Sequence, residues 1–101
     1  MPQLALYLLG APRIELDGEP ISLSHHKAVA LLAYLAVTQQ THTRQALAAL
    51  LWPDYNPTAA RGEVRRVLWV LNKSLGRDWL EVSRETAMLP PQPNLWLDIE
   101  R

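Results

Sequence analysis

What this chain lacks narrows its function before any motif is read. It has no cysteine, so neither a disulfide framework nor a thiolate metal site is open to it, which fits a reducing cytoplasm. No apolar run reaches the roughly 18–20 residues that a membrane span requires. The N-terminus does not run from a basic region through an apolar stretch to a small-residue cleavage site, so it does not read as a signal peptide. Neither charge is in excess: ten Lys and Arg balance ten Asp and Glu, and bulk charge points to no partner. The chain has no internal repeat and no low-complexity tract. A glycine-rich phosphate loop, a nucleophile–base arrangement and a carboxylate cluster are all missing, which leaves no basis for catalysis, a cofactor or a small-molecule ligand. The three histidines do not suggest a metal site. His25 and His26 are adjacent and would point apart on a helix, and His42 is isolated.

At 101 residues the length fits one domain with a single modest core. Charge within it is unevenly spread. Between Arg61 and Arg77 five basic residues (Arg61, Arg65, Arg66, Lys73, Arg77) face one acid, Glu63, a net of +4 that the rest of the chain offsets with −4. Read as a helix at roughly 100° per residue, 57–76 sorts into two faces. Val64, Val67, Leu68, Leu71 and Leu75 make a core-facing stripe. Gly62, Arg65, Arg66, Trp69 and Lys73 fall on the opposite side with Arg61 at the flank. A solvated helix usually mixes both signs of charge, and a large aromatic amid cations is costly to leave in water. This face is expected to lie against a polyanion.

Around that helix the pattern predicts mixed structure. Leu4–Leu9 and Arg13–Asp17 read as strands, the second alternating in polarity. Asp17-Gly18 is a hairpin signal, and 20–23 returns as a short strand. Ile14, Leu16, Ile21 and Leu23 are expected to face inward. A first helix, capped by Ser22 or Ser24, runs through Lys27 to about Val37 and buries Ala28, Leu31, Leu32 and Leu35. Thr43 is placed to cap a second helix over 44–52, with Leu47, Leu50 and Leu51 as its apolar positions. After the loop 52–56, Pro57 suits the first turn of the basic helix, and Gly76 supplies its stop. Two strands over 79–83 and 86–89 form a hairpin around Arg84-Glu85, and Leu95–Leu97 reads as either an edge strand or an exit segment. Sheet, two short helices, a basic helix and a hairpin make an α+β winged helix-turn-helix: an N-terminal antiparallel sheet, three helices and a C-terminal β-hairpin wing.

The ordered motifs resemble a known family. Leu8-Leu9-Gly10, Pro12-Arg13-Ile14 and Leu16-Asp17-Gly18 are similar to its opening strands, and His26-Lys27-Ala28 with 31–35 (LLAYL) to its first helix. Leu50-Leu51-Trp52-Pro53-Asp54 resembles its second-helix ending. Ala60-Arg61, Val64-Arg65-Arg66, Leu68-Trp69 and Lys73 resemble its recognition helix. The chain resembles the DNA-binding domain of SARP-type bacterial transcriptional activators, a branch of the OmpR/PhoB-like winged helices. The resemblance implies binding of double-stranded DNA at promoter direct repeats, with RNA polymerase as a further partner, in the cytoplasm. It also implies that 1–101 is the winged-helix N-terminal part of a larger regulator, with 94–101 leading out of it. Relatives often carry a basic residue where this chain has Val70 and Asn72.

Arg65, Arg66 and Lys73 are the first candidates for DNA contact, since arginine pairs bidentately with guanine or phosphate and lysine acts as a point charge. Arg61 is a phosphate candidate with a competing role in pairing Asp54 or Glu63. Gly62 either admits close backbone approach or merely loosens the helix. Trp69 either covers sugar, phosphate or a thymine methyl, or packs against the wing. Thr43 and Arg44 begin the second helix, where N–H groups favour an anion, although Thr43 also serves as a plain cap. Lys27 is a weaker candidate for the DNA backbone. Arg84, at the wing tip, is expected at the minor groove or a phosphate, with Glu85 opposing it. Trp52, Trp79 and Trp96 read as core or rim. A competing reading is a winged-helix protein–protein interaction module docking an acidic partner through Trp69 and its neighbours.

Overall fold

The computed structural model describes residues 3–23, 26–76 and 79–98. Three strands open the chain: β1 (Leu4–Tyr7), β2 (Arg13–Leu16) and β3 (Glu19–Ile21). β1 and β2 run antiparallel with Leu4 opposite Leu16, and β2 and β3 do so with Ile14 opposite Ile21. The turn between β2 and β3 has positive φ at both Asp17 (55°) and Gly18 (82°), the backbone that a two-residue hairpin demands. Leu4, Leu6 and Ile14 are buried, while Leu16, Ile21 and Leu23 pack partly buried against the core.

Three helices follow. Helix α1 (His26–Thr38) buries Ala28, Leu31, Leu32 and Leu35, as its spacing predicts, and Ala36 as well. It begins at His26, too far along for Ser22 to cap it, and Ser24 lies outside the described residues. Helix α2 (Arg44–Leu51) starts at Thr43, whose hydroxyl accepts from the Ala46 amide at 3.0 Å. Only Leu47 and Ala48 are buried in it. Leu50, expected in the core, is half exposed because two turns of helix present a single narrow stripe. Helix α3 (Pro57–Leu75) is packed against both α1 and α2.

Two pairings join distant parts of the chain. A short strand β4 (His42–Thr43) lies antiparallel to β6 (Thr86–Met88), which also pairs with β5 (Glu81–Val82). The hairpin β5–β6 is thereby tied to the residue that caps α2. At the other end β7 (Leu95–Leu97) runs parallel to β1, with Leu4 opposite Leu95, giving a first sheet ordered β3-β2-β1-β7. The N-terminal sheet is therefore not purely antiparallel. Of the two readings of 95–97 it is the edge strand that forms; 99–101 lie outside the described residues. Asp98 fastens this edge: its Oδ1 accepts from the Leu8 amide at 2.8 Å and its Oδ2 from the Leu9 amide at 3.0 Å. The Leu8 bond is the main reason its carboxyl is held below the usual range; partial burial opposes this, and the Leu9 and Asp98 amides add to it.

One apolar cluster runs through all three helices, both sheets and the hairpin, with Leu31, Leu35, Leu47, Leu71 and Leu89 fully buried at its centre. Trp52 and Trp79 belong to it. Trp96 is a rim residue, 44% exposed, its ring 5.1 Å from that of Tyr7 on the outer face of the first sheet.

Candidate nucleic-acid interface

The long helix α3 is set up by its own ends. Asn56 has extended backbone, and its side chain accepts from the Ala59 amide at 2.8 Å. Pro57 follows in the first turn, where its missing N–H costs nothing. Gly76, with φ 92°, ends the helix and donates to the Asn72 carbonyl at 2.9 Å. Between these stops Ala60, Val64, Val67, Leu68, Leu71 and Leu75 are buried. Burying each aliphatic side chain contributes about 1.5–3 kcal/mol, so the rotation of the helix about its axis is fixed by its apolar stripe. Past the first turn, the exposed residues are Arg61, Gly62, Arg65, Arg66, Trp69 and Lys73.

The exposed cations divide into three groups. Arg61 and Arg65 lean toward the hairpin, where they meet Arg84 and Arg44 around a cleft of about 440 Å³ floored in part by Gly62. No acid lines this cleft among the described residues. Arg66 lies on the other flank of α3, over a separate depression shared with Lys27, Asp54 and Glu63. Farther along, the Lys73 ammonium stands 4.8 Å from the centre of the Trp69 ring. Trp69 is 58% exposed. Arg61 forms no ion pair with Asp54 or Glu63 among the described residues.

The hairpin tip is closed by its own hydrogen bonds. The Ser83 amide donates to the Thr86 carbonyl at 2.9 Å, and the Ser83 hydroxyl oxygen accepts from the Thr86 amide at 2.9 Å and the Glu85 amide at 3.2 Å. Arg84 and Glu85 project from it, both exposed. Arg44 holds the tip from α2: its amide donates to the Glu85 carbonyl at 2.8 Å and its Nη2 to the Ser83 carbonyl at 2.7 Å. Its Nε is buried with no partner.

Thr43, Lys27 and His42 make contacts within the domain. The Thr43 hydroxyl is committed to the α2 amides as a cap. The Lys27 ammonium donates to the Leu51 carbonyl at the end of α2 at 2.7 Å, 5.9 Å from the Trp52 ring, and so ties α1 to that helix. Cations are favoured at a helix C-terminus for the same reason. His42 Nε2 lies 2.7 Å from the Thr38 hydroxyl, with its ring against Tyr34. The role of Arg44 in anchoring the tip escaped sequence reasoning, because its carbonyl partner is 39 residues away.

A helix-turn-helix made of α2 and α3, followed by a hairpin locked to α2 and backed by an N-terminal sheet, defines a winged-helix domain. No protein-family model and no curated protein matches the chain. Among solved structures, Mycobacterium tuberculosis EmbR in complex with a low-affinity phosphopeptide is similar over 94% of this chain, with a TM-score of 0.77 and 26% sequence identity. The chain spans 27% of the length of that protein. EmbR is a SARP-family regulator and the similarity is to its N-terminal winged-helix domain; the fold of this chain is that of a SARP-type winged-helix domain.

Proposed function

We propose that the domain binds double-stranded DNA to control transcription, with α3 in the major groove and the β5–β6 wing on the backbone or minor groove. The observation that carries this reading is the outer face of α3. It leaves Arg61, Arg65, Arg66, Trp69 and Lys73 in solvent on a helix whose opposite face is sunk in the core. A major groove roughly 12 Å wide admits such a helix, and Arg84 stands beside it on the wing. Arg65 and Lys73 are the strongest base-edge candidates, Arg61 and Arg84 the phosphate candidates, and Arg66 contacts the strand on the Lys27 side. Thr43 and Lys27 support the fold in this reading, and Arg44 positions the wing.

The kinship with a SARP-family regulator supports a promoter target made of direct repeats, contact with RNA polymerase and a cytoplasmic setting. It also supports a longer parent regulator of which 1–101 is the N-terminal DNA-binding part. Selection of bound duplexes from a random pool, followed by titration at several salt concentrations, tests the proposal. Affinity should fall steeply with salt, and the selected sites should contain repeats about one helical turn apart. Arg65→Ala should cost about 1–3 kcal/mol and relax one base position if Arg65 reads a base. Failure to bind any duplex at low salt, together with recovery of one acidic protein partner that competitor DNA does not displace, would establish the protein-interaction reading instead.

A further inference from the structure

Gly62 has no internal reason to be glycine. It sits inside α3 with ordinary helical backbone, and a Cβ built on it would meet nothing within 4 Å. No turn, packing contact or positive φ requires it, and glycine inside a helix is unfavourable relative to alanine. Its position is the informative part. It lies on the solvent face of the helix, in the floor of the cleft that Arg44, Arg61, Arg65 and Arg84 surround. The side chains of Arg61, Arg65 and Arg84 make no hydrogen bond or ion pair with any other described residue. Three uncommitted guanidinium groups in one concavity without an acid repel one another, and an anion seated among them removes that repulsion. The positive end of the α3 dipole acts on the same space.

We propose that this cleft seats a single phosphodiester of a DNA strand, gripped by Arg61 and Arg84, and that Gly62 is glycine so that the phosphate can approach the helix backbone. This inference rests on the duplex-binding reading and adds where, and through which atom group, one strand is held. Trp69, two turns farther along the same face, rises where Gly62 recedes. The helix therefore meets the DNA closest at its N-terminal half.

The test separates fold from binding through opposite signs. Gly62→Ala should raise the melting temperature by roughly 4–8 °C, because the added methyl enters open space, yet weaken duplex binding several-fold. Gly62→Leu should weaken it about tenfold or more while remaining folded. With the duplex selected for the wild type, phosphates are replaced one at a time by neutral methylphosphonate. One position should cost the wild type about tenfold and cost the Arg61→Ala/Arg84→Ala variant little. Wild-type binding that survives unchanged in both Gly62 variants overturns this inference and leaves duplex binding standing. So does a methylphosphonate profile that is identical for wild type and variant. A wild type that binds no duplex overturns both.

Discussion

Replacing Arg44 by methionine separates two roles that the same side chain could fill, a phosphate ligand or an anchor for the wing. The change keeps the length of the side chain and most of its packing while removing the guanidinium. Two terms then oppose each other. The charge-assisted bond from Nη2 to the Ser83 carbonyl contributes about 1.5–3 kcal/mol, and the buried Nε without a partner costs about 1–3 kcal/mol. Losing both leaves global stability within about 1 kcal/mol of wild type, and the β4–β6 pairing with the Arg44 amide bond to Glu85 remains. The local effect is larger, because the Ser83 carbonyl is released. Amide exchange at 83–86 should quicken while that of Leu71 in α3 stays unchanged. In duplex binding, Arg44→Met and Arg84→Ala should then be non-additive, since each disables the same wing contact. Urea titration, exchange by NMR and anisotropy titration at several salt concentrations read all three. Additive losses, each lowering the salt slope by about one, would make Arg44 a phosphate ligand and refute the anchoring argument. A stability loss above about 3 kcal/mol would refute the cancellation of terms.

Two further predictions concern the framework. Lys27→Met should lower stability by about 1 kcal/mol through loss of the bond to the Leu51 carbonyl and leave the salt slope of DNA binding unchanged; a reduced slope would return Lys27 to the interface. Asp98 has a depressed carboxyl pKa, so its contribution is present above the unfolded value of about 4 and disappears as pH falls through the lower folded value. Between pH 7 and pH 3 the urea midpoint of the wild type should therefore drop more than that of Asp98→Asn; equal drops would mean that the carboxylate is not what holds 95–98 to β1.

The sequence already carried the interior of α3, because a nineteen-residue helix with one apolar stripe leaves its other face no choice. The Asp17-Gly18 turn and the Thr43 cap were equally legible, since each is local chemistry that acts within three residues. What stayed hidden was long-range. β4 and β7 are two and three residues long, too short for any periodicity, and they exist only because partners 43–45 and 91 residues away in sequence offer an edge. Leu50 misled for a related reason, as two turns of α2 satisfy a helical pattern without saying which side meets the core. The basic cleft depended on the same hidden pairing: Arg44 and Arg84 converge with Arg61 and Arg65 once β4 has bound β6. The bond from Lys27 to Leu51 was hidden too, because a lysine near a helix start signals nothing about a carbonyl at the end of the next helix.

The parallel partnership of β1 with β7 makes the first strand an interior one, bonded along both sides. Trimming the protein after the hairpin would seem harmless, as every helix and the wing would survive. It would instead strip one side of β1 and expose a row of amides and carbonyls beside Leu4 and Leu6, the kind of bare margin onto which other chains polymerise. Residues 95–98 thus act as a selvedge that keeps the sheet from unravelling into its neighbours.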